Sequence, residues 1–146
     1  MPQPPAQVRD LVLLLARVVV GIVFLAHGLQ KFLQWGIGST VESFDQMGVP
    51  VPGLSAWFAA LVETLGGAAL LLGLALPVAG VLLTLDMLGA LFIVHLEQGF
   101  FLAGEGGYEY VLVLAAAALA LGFNGGTYSL DRLLSGSRSE STNADT

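Results

Sequence analysis

Residues 17–32, RVVVGIVFLAHGLQKF, decide how the chain is to be read: the stretch is apolar enough to enter a bilayer, yet it carries Arg17, His27 and Lys31. A central Arg or Lys costs about 2.5–3.5 kcal/mol on insertion scales, so such groups turn toward a bundle interior or an aqueous cavity and pair there. At 100° per residue, Gly21, Phe24, Gly28 and Lys31 fall within roughly 40° of Arg17, with His27 about 80° to one side. The helix therefore has one polar face. Gly21 and Gly28 strip that face of bulk and allow a second helix to approach closely. The acids must come from elsewhere in the chain.

Over its 146 residues the chain is 55% hydrophobic and 11% charged, with a mean hydropathy of +0.81. Soluble domains carry about 25% charged residues. An integral membrane protein follows, because a soluble bundle needs polar outer helix faces that these runs lack. The absence of cysteine excludes disulfides, thiolate metal sites and CxxC redox pairs, so redox chemistry would need a bound cofactor or a partner. The net charge of −6 argues against nucleic acid.

Met1 to Asp10 reads as a polar leader rather than a cleavable signal, since Arg17 interrupts the apolar run and no small-x-small site follows. Leu11 to Leu33 is the first span, long enough at 1.5 Å per residue for a core of about 30 Å. A loop to Pro52 follows, in which Val41–Met47 can form an interfacial helix. Ser55, a plausible N-cap, opens a second span to Leu76, and Pro77 ends it. Val78–Leu96 returns as an antiparallel partner, and Glu97–Gly107 is a polar, Gly-rich loop. Tyr108–Phe123 is the fourth span, closed by Asn124-Gly125-Gly126 in the manner of a left-handed cap, and 135–146 reads as a disordered tail. The fold expected is all-α, a polytopic membrane four-helix bundle occupying residues 11–134, with Gly66 and Gly67 as further helix-packing positions. Arg9, Arg132 and Arg138 lie on the terminal side, whereas the opposite loops carry Glu42, Asp45, Glu97 and Glu105, so both termini are expected to be cytoplasmic, in the plasma (inner) membrane.

Depth then sorts the polar groups. Arg17 falls about 9 Å, and Asp86 about 12 Å, above the inner ends of their spans, so they are expected to form a structural ion pair. His27, Lys31, Glu63, His95 and Glu109 belong to the outer half, with Glu63 about 12 Å below the outer end of its span. Lys31 either snorkels to the surface or turns inward to an acid. An outer pocket is expected in which His27, Glu63 and Glu109 handle protons and Lys31 and His95 bind a ligand head group, with Phe24, Phe58 and Phe92 as apolar walls. No Glu-x-x-His occurs, and His95-x-Glu97 points its side chains apart on a helix, so no metal site is expected. Trp35 and Trp57 read as interfacial anchors.

In combination, Arg17 with GIVFLAHGLQKF, Gly-Val-Pro before the second span, Glu63 followed by GGAALLLGL, and YEYVLVLAAAALALGFNGG followed by YSLDRLL resemble the DoxX family of small four-helix membrane proteins, over roughly residues 11–134. The resemblance maps Arg17, Gly28, Lys31, Glu63 and Glu109 onto that family's recurrent positions. It implies a redox-associated subunit with quinone as the possible cofactor and a soluble or membrane redox protein as a possible partner, alongside the bilayer and further copies of the chain. A non-enzymatic scaffold and a small transporter are the alternatives, although no internal repeat supports transport.

Overall fold

The computed structural model describes residues 4–104 and 106–135. Glu105 and, beyond Ser135, the stretch read as a tail lie outside the described residues. Helix α1 spans Ala6–Leu29 and continues without a break into a π-helical stretch, Gln30–Gln34. It starts earlier than Leu11, so much of the stretch read as a leader is helical. Asp10 is buried there and accepts a 2.6 Å hydrogen bond from Thr127 Oγ1, a partner 117 residues away that local reading could not supply.

After Gly36, whose φ is +80°, the loop forms the ten-residue helix α2, Ile37–Gln46. Helix α3, Pro52–Leu72, has Pro in its first turn, where a missing N–H costs nothing. Ser55 is not its cap: the Ser55 hydroxyl donates back to Pro50 O at 2.6 Å. The helix ends on Gly73, left-handed at φ +70°, a conformation cheap only for glycine. Pro77, expected to end the second span, instead lies in the first turn of α4, Leu76–Ala90. Helix α4 runs on through a π-helical stretch, Leu91–His95, and a 3₁₀ turn, Leu96–Gln98. Helix α5 is Glu109–Phe123, and in the Asn124-Gly125-Gly126 closure the positive φ belongs to Gly126, at +75°.

Three of these helical runs, Ala6–Gln34, Pro52–Leu72 and Leu76–Gln98, are long and apolar enough to cross a membrane. At 15 residues α5 is shorter, spanning roughly 22 Å. No strand occurs among the described residues. Helix α1 packs on α3, α3 on α4 and α4 on α5, which makes a four-helix all-α membrane bundle. The core runs along its axis through Phe24, Leu70, Leu83, Met87 and Leu114.

Backbone proximity sets the register of α1 on α3. A Cβ on Gly21 would stand 2.9 Å from Gly67 O, and one on Gly67 would stand 2.5 Å from Leu25 N. Side chains at either position would force the helices apart.

The α3–α4 turn is braced by the C-terminal segment, which is helical again over 130–135. Asp131 accepts from Ala75 N at 2.8 Å and Leu76 N at 3.1 Å. These are free N–H groups at the start of α4, so Asp131 acts as an N-cap supplied from 55 residues away. Asp131→Ala should cost about 1–2 kcal/mol, read as a lower thermal unfolding midpoint in detergent micelles; an unchanged midpoint would show that the cap contributes nothing.

Candidate functional site

The charges of α1 lie at two levels, because Arg17 and Lys31 are four helical turns, roughly 21 Å, apart. At the end of the bundle near the chain termini, Arg17 is 1% exposed. Its Nε donates to Leu70 O at 3.0 Å, Nη1 to Gly125 O at 2.6 Å and Nη2 to Tyr128 O at 2.8 Å. These carbonyls belong to the last turn of α3 and to the segment after α5, so the guanidinium ties the C-terminal segment to the bundle. The expected Arg17–Asp86 ion pair is therefore absent. Arg17 is level with the α3–α4 turn, whereas Asp86 stands ten residues into α4, about 15 Å away along its axis; the acid at that turn is Asp131.

Toward the other end, Lys31 turns inward. Its Nζ lies 2.5 Å from Glu63 Oε2, with both side chains about nine-tenths buried, and it also donates to His27 O at 3.4 Å. The Asp86 carboxyl lines the same cavity as Glu63 and Lys31 and feels the charge of both, while Asp86 Oδ2 is buried without a donor. The hairpin explains the meeting. Glu63 lies eleven residues before Leu74 and Asp86 twelve after it, so antiparallel packing brings them to one depth. That symmetry is present in the sequence itself, as near-equal distances of the two acids from the turn.

A cavity of about 640 Å³ opens onto this triad. Phe24, Phe58 and Met87 contribute apolar wall, and Trp35, Phe44 and Met47 close the side toward α2. Phe92, expected as a third aromatic wall, is 63% exposed and does not line the cavity. His27 and His95 do line it. The Nδ1 of His27 lies 2.9 Å from Val23 O and that of His95 lies 2.7 Å from Gly106 O. A carbonyl can only accept, so both rings carry hydrogen on Nδ1, and the neutral ring presents Nε2 as an acceptor. Tyr110, missed in the sequence, also lines the cavity and faces the His27 ring at a centroid distance of 6.2 Å.

Glu109 is not part of this cluster. Its Oε1 accepts from Leu102 N at 2.7 Å, fastening the preceding loop to the first turn of α5. A carboxylate in a first helical turn is favourably placed for capping nearby N–H groups, and the loop supplies one. Both π-helical stretches flank the cavity: Lys31 lies in one and His95 ends the other. Such insertions are frequent at functional sites.

Comparison with known proteins gives consistent matches. The family model described as DoxX matches residues 12–96, from α1 through the π-helical extension of α4. A Bacillus subtilis protein named "Putative oxidoreductase CatD" is 38% identical over 108 residues, 74% of this chain and 76% of that protein. A Mycobacterium tuberculosis protein named "Uncharacterized membrane protein Rv3486" is 36% identical over 132 residues, 82% of this chain and 78% of the relative. No solved structure matches.

Proposed function

The chain belongs to the DoxX family of membrane proteins, and on that premise we propose that its cavity receives the head group of a quinone-type, lipid-soluble ligand in a redox-associated subunit. The observation that carries this reading is the combination of a largely apolar cavity with the buried Lys31–Glu63 pair and Asp86 converging on one part of its wall. An aromatic ring suits the walls, and its oxygens suit the polar groups. Lys31 and His95 hold the head group, and His27 and Glu63 handle its protons. Electrons come from a redox partner, because this cysteine-free chain has no thiol pair to supply them. The name of the relative from Bacillus subtilis, "Putative oxidoreductase CatD", agrees with such a role. In this reading the protein lies in the plasma membrane with both termini in the cytoplasm, on the charge asymmetry of its loops.

Trp35 lines the cavity and Trp57 does not, which provides a test. A short-tailed benzoquinone added to the purified protein in nanodiscs should quench tryptophan fluorescence saturably. The saturable component should persist in Trp57→Phe and disappear in Trp35→Phe. Linear, non-saturating quenching in all three proteins would remove the quinone reading and leave a scaffold.

A further inference from the structure

The groups facing the cavity are His27 and Lys31 from α1 and its extension, Glu63 from α3, Asp86 from α4, His95 from the extension of α4, and Tyr110 from α5. Ionised carboxylates are pure acceptors, so Glu63 and Asp86, which line one cavity and feel each other's charge, repel unless a proton lies between them, and Asp86 Oδ2 is buried with no donor. With Lys31 charged and both acids ionised, the buried triad would carry a net charge of −1; with one proton shared between Glu63 and Asp86 it is neutral, as an apolar surrounding favours. That proton engages one oxygen of each acid, and Lys31 takes Glu63 Oε2. One Asp86 oxygen is then left as an acceptor with no donor among the described residues. Both histidines, with Nδ1 held by Val23 O and Gly106 O, present further acceptors through Nε2. The available donors are the remaining N–H of Lys31 and the Tyr110 hydroxyl.

We propose that this cavity, taken as the quinone-type site argued above, holds the reduced, hydroxyl-bearing form of the ligand in preference to the oxidised form, with Asp86 accepting the ligand's O–H. A hydroxyl oxygen can donate to Asp86 and accept from Lys31 or Tyr110, whereas a carbonyl oxygen can only accept and leaves Asp86 without a donor. An unsatisfied buried acceptor carries a penalty that the hydroquinone relieves and the quinone does not. The site therefore discriminates between two forms of nearly the same shape by hydrogen bonding alone.

Equilibrium dialysis of the full-length protein in nanodiscs, with a short-tailed benzohydroquinone and the matching benzoquinone held anaerobically in their redox states, tests this. The hydroquinone should bind about tenfold more tightly. Asp86→Asn should keep that preference, because the amide nitrogen donates to Glu63 as the shared proton does and the amide oxygen still accepts from the ligand. Asp86→Leu should abolish the preference by weakening hydroquinone binding far more than quinone binding. Equal or tighter binding of the quinone by the parent protein, or an Asp86→Asn protein that has lost the preference, overturns the inference and leaves the quinone-type site standing. Failure of both forms to bind overturns the inference and the quinone-type site together.

Discussion

Arg17→Leu should be among the most destabilising single changes in this protein. Three carbonyls, Leu70 O, Gly125 O and Tyr128 O, would lose their donors together. A buried polar group left unsatisfied costs about 1–3 kcal/mol, and because the contacts to Gly125 O and Tyr128 O are only partly buried the expected loss is about 3–5 kcal/mol, a large part of the roughly 5–15 kcal/mol that keeps a protein folded. Arg17→Lys should recover less than half of it, since an ammonium is a point charge and lacks the planar fork that reaches three diverging oxygens. The thermal midpoint in micelles measures the loss, and proteolysis should be enhanced first around residues 124–131, the segment that Arg17 holds down. Ligand affinity per folded molecule should stay unchanged, because the cavity lies about four helical turns away. An Arg17→Leu protein as stable as its parent would show that the guanidinium is not the anchor described.

The second large effect belongs to Lys31. In Lys31→Met the buried Glu63 carboxylate loses its cation and lies beside a second acid, at an expected cost of about 3–5 kcal/mol. Replacing both partners, Lys31→Met with Glu63→Leu, should restore most of the stability, because a buried ion pair is roughly neutral against well-packed apolar residues. Denaturation of the four proteins of this double-mutant cycle gives the coupling directly. Additive losses would mean that the 2.5 Å contact is not an energetic unit. The restored double variant should still fail to bind a quinone-type head group, which separates what the pair does for folding from what it does for the ligand.

The charge partners show where local reading reaches its limit. Lys31 had two open courses, surface or acid, and the choice was made by Thr64 and Glu63 on α3, where a Cβ at Gly28 would come within 2.5 Å of Thr64 N and so demands close helix contact. Arg17 was expected to seek an acid and found carbonyls, because a segment more than 100 residues later folds under the bundle and brings Gly125 and Tyr128 to it. Depth in the span and the family resemblance both point Glu109 to the pocket. At a helix start, a nearby loop N–H outcompetes a distant site, and Leu102 N takes it. Tyr110 and Trp35 carried no signal beyond aromaticity, which in a membrane protein reads equally as an interfacial anchor.

By itself the sequence determined the class, the helical runs and the polar face of α1, because hydropathy, length and periodicity are sums over neighbouring residues that no later contact reverses. It also determined that Lys31, Glu63 and the two histidines lie away from the chain termini. Only the tertiary structure decided which charge meets which partner and which acids share the cavity. A shift of one residue turns a side chain by 100° and moves it 1.5 Å along the axis, and that shift is set by glycine contacts between helices far apart in the chain.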